Sequence, residues 1–180
     1  MKHKVILSLL IAAALNSLPF SGKADNPDYP NNRYPLIRKP YIELPLGSIK
    51  PKGWLHEMLV RQKNGASGQM DVLYPSVMGK RNGWLGGDGD QWERGPYWID
   101  GLLPLAYILD DDVLKAKVQP WIEWALQSQR EDGFFGPEKD YPGEPGLQRD
   151  NSQDWWPRMV VLKSYSSIIR QRTIRESSLL

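Results

Sequence analysis

The chain has 180 residues, with 23 Lys and Arg against 21 Asp and Glu, two His and no Cys. Without Cys neither disulfides nor thiolate metal sites can form, and His3 and His56 are too few for a histidine metal cluster. Lys2, Lys4 and Lys23 fall in residues 1–24, which hold no acid, so the remainder is close to neutral and the sequence pI of about 8.7 lends no support to a nucleic-acid partner.

Residues 1–24 have the layout of a secretory signal peptide. Met1-Lys2-His3-Lys4 is a basic start, Val5 to Leu15 is an apolar run, and Gly22 and Ala24 supply small residues at the −3 and −1 positions of a cleavage site. The run is short for a bilayer span, and no Cys follows it to carry a lipid. The expected location is periplasmic or secreted, with no membrane attachment after cleavage.

Residues 25–47 are rich in Pro, Asn and Tyr and read as an extended lead-in. Ser48 is placed to cap a first helix with the face Trp54, Leu55, Met58, Leu59 and Gln62, ending at Asn64-Gly65. The stretch from Gly79 to Gly95 has neither a helical nor a strand period. Pro96 suits the first turn of a second helix, Tyr97 to Leu109, which is apolar nearly all round and is expected to be buried on every side. Asp110-Asp111-Asp112 turns the chain into a third helix, amphipathic through Leu114, Val118, Trp121, Ile122, Ala125, Leu126 and Gln129, with Pro120 expected to kink it. Residues 130–153 form a second polar loop. Ser152 or Asp154 then caps a fourth helix, with Pro157 in its first turn and Met159, Val160 and Leu162 on its face.

The expected class is all-α, since no segment alternates as a strand. A buried helix paired with an amphipathic one is the repeating unit of an α/α toroid, here the first hairpins of an (α/α)6 ring; a simple helical bundle is the alternative. In a toroid the long loops gather at one end and build the site.

Those loops carry the candidate site residues. Sugar rings stack their C–H faces on indoles while their hydroxyls pair with carboxylates and guanidinium groups. Trp84, Trp92 and Trp155, set among charged and Gly residues, are candidates to line such a cleft, whereas Trp121 and Trp124 read as core. Asp88, Asp90, Glu93 and Arg94 lie close together, and Asp154 sits beside Trp155. These carboxylates could grip hydroxyls, pair within the fold or hold calcium. An EF-hand fails because Trp92 stands where Asp or Asn is wanted. No metal site is expected in the chain.

Four segments together resemble the β-L-arabinofuranosidase-like hydrolases, glycoside hydrolase family 127 and its relatives. They are Pro45 to Leu55 (PLGSIKPKGWL), Gly86 to Tyr97 (GGDGDQWERGPY), Ser128 to Pro137 (SQREDGFFGP) and Asp154 to Arg158 (DWWPR). The resemblance covers roughly residues 41–163. It implies a six-hairpin α/α catalytic barrel followed by β-sandwich modules, acting on L-arabinofuranosides or related oligosaccharides and polysaccharides. Members that release arabinose use a zinc-held Cys nucleophile; with no Cys here, no nucleophile and no zinc are assigned to this chain. Gln129 to Phe135 also resembles the Gln-x-x-Asp-Gly-x-Trp segment of terpene-cyclase toroids, read as the stop of an outer helix; the acidic motif of a lipid cyclase is missing.

Ser164 to Leu180 changes character, with no helical apolar face and with Arg170, Arg172 and Arg175. Under one permissible coding, a one-base shift near Lys163 would continue the fourth helix and begin another. The expectation is therefore a frameshifted N-terminal piece of a longer hydrolase, poorly stable and without hydrolase activity alone. The rival is a small secreted carbohydrate-binding module without catalysis. Sequencing the gene tests the first: an open frame beyond codon 180 is expected, and a closed one removes the idea.

Overall fold

The computed structural model describes residues 31, 32 and 34–177, with side chains placed through residue 171. The expected signal peptide and the start of the lead-in lie outside the described residues. The chain separates into two units, Met1–Ile42 and Glu43–Leu180. In the first, the Asn31 amide brackets Lys39, donating to its carbonyl at 3.1 Å and accepting from its N–H at 2.8 Å, while Asn32 donates to the Ile37 carbonyl at 2.7 Å.

The second unit is built from helices α1 (Trp54–Asn64), α2 (Ala66–Leu73), α3 (Arg94–Ile108), α4 (Asp112–Gln127) and α5 (Trp155–Ser177), with a short 3-10 turn at Gly83–Leu85. No strand occurs among the described residues. The all-α class is thus observed.

The polar start of the unit docks on a helix end. Lys50 Nζ donates to the carbonyls of Tyr107 at 2.9 Å and Ile108 at 3.1 Å, placing a cation at the C-terminus of α3 where the last carbonyls lack helical partners. Ser48 is not a helix cap; it closes a turn on the Pro45 carbonyl, and α1 begins after Gly53. The expected α1 face is also not buried. Trp54, Leu55 and Met58 are exposed, and only Leu59 packs against the core. A helix absent from the sequence reading, α2, follows at once and supplies three ties: the Trp98 indole donates to the Ser67 carbonyl at 2.8 Å, and Lys117 pairs with Asp71 at 2.7 Å and donates to the Gly68 carbonyl at 2.8 Å.

Helix α3 lies between α4 and α5. Ile99, Leu102, Leu103, Leu105 and Ala106 are buried, together with Gly95 and Pro96. The expectation of burial on every side is corrected in one respect: Tyr97 and Gly101 are exposed, so a single stripe stays open while the other faces are shielded within this chain. Helix α4 is amphipathic as expected, but it ends at Gln127, so Gln129 lies beyond it. Asp111 caps it by accepting from the Leu114 N–H at 2.9 Å, and Leu114, Val118, Trp121, Ile122 and Ala125 face inward, although Leu126 is exposed. It runs unbroken through Pro120.

The expected loss of helical character after Lys163 does not occur. Helix α5 continues to Ser177, Ser164 and Ile168 are buried, and the Tyr165 hydroxyl donates to the Ile122 carbonyl at 2.6 Å. The reason is that a serine, a tyrosine and one isoleucine, not an aliphatic stripe, make the contact.

Between α4 and α5 the chain has little regular structure, and one side chain organises it. Arg158 is wholly buried, and its guanidinium donates to the carbonyls of Phe135 at 2.6 Å, Pro137 at 3.0 Å, Ser152 at 2.6 Å and Asp154. It also lies over the rings of Phe134, at 3.8 Å, and Trp84, at 5.4 Å. Burial pushes the guanidinium down to about 10, still protonated at neutral pH. Replacing Arg158 with Ala strands four buried carbonyls and is expected to cost about 3–5 kcal/mol in urea unfolding, with Lys a poor rescue because an ammonium lacks the planar fork.

Candidate functional site

The Gly79–Gly95 stretch folds back on itself through its own carbonyls and one buried carboxylate. Asp90 has no exposure, and its oxygens accept from the Trp92 N–H at 3.2 Å, the Gln148 N–H at 3.2 Å and the Arg94 guanidinium, with Arg94 Nε at 3.0 Å. Arg94 in turn donates to the Gly146 carbonyl at 2.8 Å. Asp90 and Arg94 therefore clamp two loops together, and every acceptor of Asp90 is committed.

Trp84 is a correction of the same kind. It is 1% exposed, donates through its indole to the Trp92 carbonyl at 3.0 Å and meets Phe135 edge-on at 6.0 Å. It fills the core and borders a small, mainly apolar cavity with Ile99, Trp121 and Val161, because the 3-10 turn, capped by Asn82, rotates it inward. Asp88 lies at the opposite extreme. It is exposed and paired with Arg81 at 2.8 Å, whose hydrogen bond holds the carboxyl below its usual range.

The remaining candidates gather where α3 and α5 begin. Asp154 has each oxygen on a different element: Oδ1 accepts from the Trp156 N–H at 2.9 Å, capping α5, and Oδ2 accepts from the Trp92 indole at 2.7 Å. The Trp156 N–H, then the Trp92 indole, lower its pKa. Glu93 immediately precedes α3, is half-buried, and its side chain has no hydrogen-bonding or ionic partner among the described residues. One turn on, on the same side of the helix, stands Tyr97.

Tyr97 and Trp156 are 46% and 47% exposed and flank a groove of about 250 Å³, completed by Asp100, Met159, Val160 and Lys163. Asp100 and Lys163 pair at 2.7 Å across it, one from each helix. Neither aromatic was singled out as a site residue from sequence; Tyr97 was assigned to a buried helix, and the useful signal was that Trp156 follows the cap Asp154 by two positions. Trp155, its neighbour, points elsewhere. It is 56% exposed, stacks edge-on with Phe134 at 5.5 Å and lines an apolar groove between α4 and α5 with Leu126, Leu162 and Ile169.

Among the described residues no group of three or more His, Asp or Glu is placed to hold a metal ion, and no helix is long and apolar enough to cross a membrane. The chain matches no family model, no curated protein and no solved structure.

Because the folded-state pKa of Asp154 is depressed, its contribution to stability is present above the unfolded value near 3.9 and is lost as pH falls through the folded value. Thermal melts from pH 6 to pH 2 are expected to show a shallower acid decline for Asp154→Asn than for the wild type, and identical declines would refute the role.

Proposed function

We propose that the protein forms the first hairpins of an exported glycoside-hydrolase toroid of the β-L-arabinofuranosidase-like type, and that the groove between Tyr97 and Trp156 borders its sugar site. The order of elements supports the toroid: a shielded helix, an amphipathic partner, a long loop, and a further helix packed against the first. One observation carries the sugar reading, the half-exposed indole and phenol facing a groove that also holds a carboxylate and an ammonium. Pyranose and furanose rings offer C–H faces for the aromatics and hydroxyls for the ion pair.

Hydrolysis by the common route needs two carboxyls on either side of the scissile bond, roughly 5–5.5 Å apart for retention or 6.5–9.5 Å for inversion. Asp100 is tied to Lys163, and Glu93, one turn before Tyr97, is the nearby carboxylate with no side-chain partner among the described residues. This composition favours binding without turnover by these residues alone.

Titration of the chain with L-arabinofuranosyl oligosaccharides, followed by tryptophan fluorescence, tests the reading. Trp156→Ala is expected to weaken binding about tenfold, or 1.4 kcal/mol. Unchanged affinity in that variant, with the fold intact by circular dichroism, would sink it.

A further inference from the structure

A second concavity, away from the α3–α5 groove, is built by the loop before α3 and the loop after α4, with Trp124 from α4 between them. It measures about 360 Å³, and its walls include Gly86, Gln91, Trp124, Glu138, Lys139 and Tyr141. Trp124, read from sequence as core, rests one edge on the hydrophobic cluster but is only half-buried, and its indole N–H has no hydrogen-bond partner among the described residues. Gly86 passes directly beneath it: a Cβ there would stand 2.6 Å from the indole nitrogen, and the backbone is left-handed at φ 77°. The glycine leaves the indole uncovered, because no larger residue fits.

The floor is polar and unsatisfied. Gln91 is 1% exposed and donates its amide N–H to the Lys139 carbonyl, which fixes the amide orientation and leaves Oε1 buried without a partner. A buried acceptor without a donor is rare in a folded protein and points to a missing ligand or water. Ser128 holds the far wall, donating to the Ala125 carbonyl at 3.0 Å and accepting from the Gly136 N–H at 3.0 Å. The rim carries the carboxylate of Glu138, paired with Arg130 at 3.5 Å, and the ammonium of Lys139.

We infer that this cleft is a second saccharide site, in which a neutral, hydroxyl-bearing ring stacks on Trp124 between Glu138 and Lys139 over an acceptor that the fold leaves unmet. An anionic ligand could not donate to the Gln91 acceptor, and a purely apolar one would leave it unpaired. The inference rests on the reading of the protein as a saccharide binder, but on different residues from those of the α3–α5 groove.

Calorimetric titration of the full chain with an L-arabinofuranosyl trisaccharide separates the two. Two binding events are expected for the wild type. Trp124→Ala removes one and leaves the other, and Trp156→Ala does the reverse. Because Trp124 touches the core, the exposed rim variants Glu138→Gln and Lys139→Ala serve as a second arm, each expected to weaken the Trp124 event about fivefold without altering the melt. If Trp124→Ala and both rim variants bind as the wild type does while Trp156→Ala loses all binding, the cleft is no site and the groove stands. If Trp124→Ala alone loses all binding, the cleft stands and the groove reading falls. No binding by the wild type overturns both.

Discussion

A buried positive charge whose hydrogen bonds all go to backbone carbonyls is the constraint from which the rest of the helical unit follows. Arg158 is solvated entirely by protein: four carbonyls from the loop between α4 and α5 and from the start of α5 take its donors, and two aromatic faces cover it. Removing a guanidinium from water costs several kcal/mol unless its hydrogen bonds are replaced in good geometry. Holding the carbonyls of Phe135, Pro137, Ser152 and Asp154 on one guanidinium gives a segment with almost no regular structure a defined path. That path carries Glu138, Lys139 and Tyr141 to one side of the molecule and delivers Asp154 to the start of α5 on the other.

The same economy explains which sequence signals meant what. The helices were legible where apolar residues recur at three and four, as in α4, or where a run is apolar nearly throughout, as in α3. Helix α2 was not, because eight residues with Gly and Ser among them carry no clear period. The extension of α5 past Lys163 was hidden for a related reason: its contacts are a serine, a tyrosine and an isoleucine, spaced too sparsely to make a stripe. For the site, proximity in sequence misled. Asp88, Asp90, Glu93 and Arg94 are close neighbours, yet one is an exposed ion pair, two form an internal clamp and one is unpaired, since an irregular loop turns successive side chains in unrelated directions.

The segments that carried the family resemblance prove to be joints. Lys50 in the first seats on the end of α3, Asp90 and Arg94 in the second bind two loops, the Phe134 ring and the Phe135 carbonyl in the third meet the buried guanidinium, and Asp154 with Arg158 in the fourth fixes the entry to α5. Residues that join elements are specific to a topology and say little directly about a ligand. The aromatic residues that line the two candidate sites, Tyr97, Trp156, Trp124 and Tyr141, lie beside these joints or on the neighbouring helix.

Trp155 and Trp156 face different grooves because consecutive residues on a helix diverge by about 100°. Their division of labour therefore depends on the rotary phase of α5, which Arg158 sets at one end and Tyr165 holds seven residues later. Insertions in the preceding loop between its anchors at Pro137 and Ser152 leave that phase untouched, whereas a single residue gained or lost between Trp156 and Arg158 would turn the two indoles out of their grooves together. The loop is free to diverge in length; the first turn of α5 is not.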